Sequence, residues 1–144
     1  VYEMKKIFLI LVFSILVICI LPFFLCPLLD DIVLIKYRSE ISKTLNNELP
    51  DDVVIMEIVS GCGNTGGTGN HTDLYVSVLV TAPFSETEWE TIGYEPHSVS
   101  KEGSSTFSMD LLHLSFSEIT DPDHSYILEF VREAPFSFFD LRGN

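Results

Sequence analysis

The hydrophobic pattern divides the chain sharply near residue 30. Over residues 7–25 there is no charge, and only Ser14, Cys19 and Pro22 are not Ile, Leu, Val or Phe. A helix of that length rises about 28 Å at ~1.5 Å per residue, close to the ~30 Å of a bilayer's hydrocarbon core. Each such residue favours insertion by about 0.3 to 0.6 kcal/mol near a helix centre, so the run sums to several kcal/mol. The pattern predicts a transmembrane helix, with residues 1–29 forming a tail and anchor.

Beyond it the apolar positions become periodic. Leu34, Tyr37, Ile41, Leu45 and Leu49 recur at three and four residues, with Lys36, Glu40, Lys43 and Asn47 between them. That spacing predicts an amphipathic stalk helix over 30–49, capped by Asp30 or Asp31, stopped by Pro50 and continuing the span if Pro27 only kinks it. Residues 53–60 and 72–81 are rich in Val, Ile and Thr and read as strands; the second alternates with period two, with both faces partly apolar. Ser85 and Glu88 have capping-box spacing and open a short helix ending near Gly93. Residues 95–105 read as an exposed polar loop. Two more strands, 106–118 and 125–133, flank the turn chemistry of Asp121, Pro122 and Asp123. The tail carries Phe136, Phe138, Phe139 and Leu141 and is expected to pack against the sheet. The fold class is therefore α+β: an N-terminal transmembrane helix continuing into a stalk helix, packed on an antiparallel sheet of about four strands.

Composition narrows the partners. The net charge is −13, and because residues 1–29 carry +1, residues 30–144 carry −14 with only six Lys or Arg. About 115 residues suit a single domain with one core. Such an acidic domain disfavours nucleic acid, which is bound through Lys and Arg that displace counterions. It equally disfavours lying flat on anionic lipid.

Lys5 and Lys6 ahead of the apolar run also fit a cleaved secretory signal, but no Ala-x-Ala pattern precedes Asp30, and Phe24 and Leu25 are too bulky for lipid attachment at Cys26. An uncleaved signal-anchor is expected, with the C-terminal domain extracytoplasmic; secretion after cleavage is the alternative. The positive-inside count does not choose an orientation, since Lys36, Arg38 and Lys43 follow the run as Lys5 and Lys6 precede it. The short charged tail ahead of a first apolar helix does. With Cys19 and Cys26 in the anchor region, Cys62 is the domain's one thiol, so no internal disulfide staples it.

Candidate chemistry concentrates in two loops. Residues 61–70 match G-x-G-x-x-G at Gly61, Gly63 and Gly66, yet Gly67 stands where a phosphate loop needs Lys, and a strand rather than a helix follows. The glycines then serve a long hairpin connection that can contact a partner through Cys62, Asn64, Asn70, His71 and Asp73. Asn70, His71 and Thr72 form a glycosylation sequon, meaningful in a eukaryotic secretory pathway. Cys62 and His71 supply the side chains of a small Cys/His enzyme, if the backbone holds them within hydrogen-bond reach. Asp121, Asp123 and His124 put three metal-type ligands in one turn, with His97 and His113 as further donors, although Pro122 departs from the EF-hand loop. No cofactor is expected. The functional expectation is a non-enzymatic, membrane-anchored module that binds a protein or envelope partner, with the enzyme and the divalent-cation module as alternatives.

Overall fold

One continuous helix, α1 (Tyr2–Glu48), carries the chain from the apolar run into the domain in the computed structural model, which describes residues 2–65, 71–99, 114–117, 119, 121–137 and 142. Pro22 and Pro27 both lie inside it without ending it. At ~1.5 Å per residue this helix is about 70 Å long. Its two parts differ in what they touch. From Met4 to Leu29 nearly every apolar side chain is exposed, while Leu34, Tyr37, Ile41 and Leu45 pack into the domain core. Asp30 and Asp31 do not cap a helix start, because the helix has no start there. They serve as acceptors for the C-terminal tail instead.

The sheet contains β1 (Val54–Gly63), β2 (Asp73–Thr81), β3 (His97–Ser98) and β4 (Ser125–Glu133), in the order β1-β2-β4-β3 and antiparallel throughout. The central strand β2 is buried from Asp73 to Val80, which explains why its sequence is apolar on both faces. Val76, Val78 and Val80 meet Leu45 of α1 together with Tyr126 and Leu128 of β4. Leu79 and Ile127 face the other way, against Val99, Phe116 and Ile119. Each fully buried Val or Leu contributes about 1.5–3 kcal/mol relative to exposure. Two layers therefore clamp one sheet. In β1 the register shifts between Ile55 and Glu57, a bulge that leaves Val54 and Met56 exposed on the edge strand.

Among the described residues the fourth strand of the sheet is β3. His97 and Ser98, inside the stretch read as a loop, pair with Ile127 and Tyr126. Of the expected strand at 106–118, residues 114–117 are irregular, and 106–113 and 118 lie outside the described residues. A two-residue edge strand has too few positions to show an alternating pattern. The tail touches the sheet as expected, Ser137 donating its hydroxyl to Glu133 of β4 at 3.1 Å. Its described part reaches α1, Phe136 donating its backbone N–H to Asp30 Oδ1 at 3.2 Å; Phe138, Phe139 and Leu141 are outside the described residues.

The short helix α2 (Glu86–Ile92) forms where its capping box predicts. The Glu88 carboxylate accepts the Ser85 N–H at 2.7 Å and the Ser85 hydroxyl at 2.9 Å, bonds that hold its pKa below the usual carboxylate range. Gly93 ends the helix in the left-handed region at φ 91°, donating to the Trp89 and Glu90 carbonyls. Trp89 drives α2 into the core, its ring 5.4 Å from Phe84 and 5.5 Å from Tyr126.

Tyr94, just past α2, donates its hydroxyl to Glu48 Oε2 at 2.7 Å and so ties the end of α1 to α2. Burial, then the bond to Glu48 and its charge, pushes the phenol from 10.0 up to about 12. The folded state thus holds this proton more tightly than the unfolded one. Tyr94's contribution to stability is present below pH 10 and is lost as pH climbs toward about 12. Tyr94→Phe should shift the alkaline unfolding midpoint upward relative to the parent, measured by circular dichroism, once the lower neutral-pH stability is subtracted.

Candidate functional site

The register of helix against sheet shows which end of the domain adjoins the apolar run. Arg38 Nη2 donates to the Ile58 carbonyl at 2.9 Å, and the Arg132 guanidinium sits 4.9 Å over the Tyr37 ring. Next come Phe136 on Asp30, and then Arg142, whose Nη1 lies 2.6 Å from Asp31 Oδ1 and Nη2 2.9 Å from the Pro27 carbonyl. From Ile58 to Gly63 a strand advances about 16 Å at ~3.3 Å per residue, which on α1 corresponds to about eleven residues back from Arg38. The Gly63 end of β1 therefore lies toward residues 27–29 of α1. The turns at 50–53 and 121–124 lie at the far end.

At the near end Asp73 is the organising group. Buried at 7% exposure, its Oδ2 accepts the Thr65 hydroxyl at 2.6 Å and the Thr65 N–H at 3.3 Å, and lies 3.2 Å from His71 Nε2. Both ends of the loop are thereby held on one carboxylate, and Ala134 N–H closes onto the Thr72 carbonyl at 2.9 Å. Cys62 is elsewhere in the pleat. It pairs with Leu74, whereas Gly63 pairs with Asp73, so thiol and carboxylate project from opposite faces. His71 pairs with Asp73, and the register puts Cys62 on the α1 side of the sheet. Asn64 is a half-buried loop residue, and Asn70 lies outside the described residues.

At the far end Asp52, Val54, Thr81, Ala82, Pro83, Asp121 and His124 line an open cleft of about 350 Å³. The structure does bring Asp121 and His124 together, Oδ2 to Nδ1 at 3.0 Å. Both side chains are more than half exposed, so the pair contributes little to stability. Asp123 is exposed in the turn, and the Asp121 carbonyl accepts the Ser125 hydroxyl, as turn formation requires. Among the described residues no group of three His, Cys, Asp or Glu is placed to hold a metal ion. His97 lies on β3, 3.6 Å from Glu129 Oε2, and His113 is outside the described residues.

Sequence reasoning missed two arrangements. On the sheet face away from α1, Tyr75 donates its hydroxyl to Glu129, the same carboxylate that faces His97, and spans β2, β4 and β3. The one signal was Glu129 interrupting the apolar run around Ile127 and Val131. The other is the Arg142 clasp on Asp31 and Pro27, which joins residues over a hundred positions apart and leaves no local signature.

Comparison with known proteins finds no matching family model, no matching curated protein and no matching solved structure.

Proposed function

We propose that this chain is a single-pass, membrane-anchored module whose acidic α+β domain lies outside the cytoplasm and binds a protein or envelope component without catalysing a reaction. One observation carries the reading. The apolar part of α1 is long enough to cross a bilayer, and none of its most apolar 18-residue window is buried by the rest of the chain. A core helix of a water-soluble domain would be covered by its own fold.

Continuity of α1 favours an uncleaved anchor over a removed signal. Cys26 at 7% exposure and Asp30 at 0% are built into the domain, and Arg142 grips the Pro27 carbonyl. Cleavage in this stretch would cut through an intact helix and strip those contacts. The exported orientation rests on Lys5 and Lys6 immediately ahead of the apolar run, retained on the cytoplasmic side. In this arrangement the Asp73-closed hairpin end sits beside the bilayer, so a partner reached through residues 61–71 is one held close to the same membrane.

Protease added to intact cells tests the topology. The domain should be degraded while a cytoplasmic control survives. Protection until the membrane is broken would place it inside.

A further inference from the structure

The exposed apolar stripe of α1 does not stop with the bilayer. Leu28, Ile32 and Ile35 are 60%, 51% and 68% exposed, and they continue, at alternating steps of three and four, a row through Leu21 and Leu25. Past Ile35 the same row passes to Ser39, Ser42 and Asn46. At ~100° per residue the stripe points about 150° away from Leu34, Tyr37, Ile41 and Leu45, the residues that meet the sheet. Among the described residues, the fold covers one side of the helix and leaves this one exposed.

Lipid cannot reach all of it. With Lys5 and Lys6 at one surface, ~30 Å of hydrocarbon takes in about twenty residues and ends near residue 27. Ile32 then lies about 7 Å and Ile35 about 12 Å further out, against a headgroup layer of roughly 5–8 Å. A typical tilt of ~20° shortens these distances by only about a twentieth.

A second copy of the chain fits what lipid does not. Inserted in the same direction, it brings an identical stripe to an identical depth, and the three-four spacing is that of a left-handed helix pair. In the heptad set by Ile32 and Ile35, Asp31 and Lys36 take the flanking positions that face each other between parallel strands, so Asp31 of one copy meets Lys36 of the other. Asp31 has an oxygen for this besides the one that holds Arg142. The next flanking cation, Arg38, which would otherwise meet Lys43, is turned to the Ile58 carbonyl. Each domain packs on the far side of its helix, so the two acidic bodies stand on opposite flanks, where salt screens repulsion beyond ~8 Å.

We propose that Leu28, Ile32 and Ile35 form the seam of a parallel self-association of this chain immediately outside the bilayer. The inference rests on the anchor reading above. Its test is a disulfide ladder on the full-length chain in membranes, with Leu28→Cys, Ile32→Cys and Ile35→Cys on the stripe and Val33→Cys and Glu40→Cys off it, the parent chain giving the background from Cys19, Cys26 and Cys62. Mild oxidation should yield products of twice the chain mass from the stripe positions, at least about fivefold over the off-stripe ones, and Ile32→Asp should suppress the Ile35→Cys product. Equal yields at all five positions would overturn the proposal. So would a product of any other mass, which would mean a different protein covers the stripe, or quenching of a probe on Ile35→Cys by brominated lipid. Alkaline carbonate washing of the same membranes separates the two readings. A chain that stays in the pellet yet gives no ladder refutes only the self-association, and one that washes off refutes the anchor itself.

Discussion

Arginine placed at both Phe13 and Leu16 is expected to release the chain from the membrane into the alkaline-soluble fraction, while Leu16→Arg alone leaves most of it inserted. The difference follows from magnitudes. The sixteen Ile, Leu, Val and Phe residues of 7–25 together favour insertion by about 5–10 kcal/mol, an upper range because the effect weakens toward the ends. One central arginine costs about 3–4 kcal/mol, counting the apolar residue it replaces, and two cost about 6–8 kcal/mol. A single substitution erodes the surplus, and the pair cancels it. Phe13→Leu with Leu16→Ile, which preserves the apolar character, should change nothing. Carbonate extraction followed by immunoblotting reads all three.

Trp89→Ala is expected to destabilise the domain by about 3–5 kcal/mol, enough to unfold a large fraction of it. The indole is completely buried between Phe84 and Tyr126 and is the main attachment of α2 to the sheet. Truncation would open a cavity under a helix that has only seven residues and no independent stability. Trp89→Phe should cost far less. It keeps an aromatic ring against both neighbours, and it removes an indole N–H that has no hydrogen-bond partner among the described residues. Urea denaturation followed by far-ultraviolet circular dichroism measures both variants. Fluorescence would not serve, because Trp89 is the chain's only tryptophan.

These two substitutions probe the features most legible in the sequence. Uninterrupted hydrophobicity marks the exposed apolar part of α1, the three-four spacing from Leu34 to Leu45 marks the helix face on the sheet, and two-faced apolarity marks β2 as the central strand. The Ser85–Glu88 capping box and the boundaries of β4 are equally plain, because local chemistry dictates both. What failed was non-local. A two-residue strand at His97 and Ser98 exists only because β4 offers an edge to pair with, and no periodicity can announce it. Asp30 and Asp31, which local reasoning assigned to a helix cap, accept from the distant Phe136 and Arg142 instead.

Candidate chemistry was legible only as residue types. The carboxylate at Asp73 gathers Thr65 and His71, but the pleat that does so turns Cys62 to the other face, a consequence of register that spacing along the chain does not show. Asp121 and His124 do meet, as their i, i+3 spacing across a turn suggests, and they meet in the open. Glu129 with Tyr75 and His97 emerges only when three strands are laid side by side.

The account stands on the apolar helix being covered by lipid rather than by protein. Flotation of the purified full-length chain with neutral phosphatidylcholine vesicles, in a density gradient at pH 11 and high salt, tests that directly, since charge attraction is removed and only insertion holds. The chain should rise with the vesicles. Recovery at the bottom of the gradient as a detergent-free, soluble monomer would contradict it.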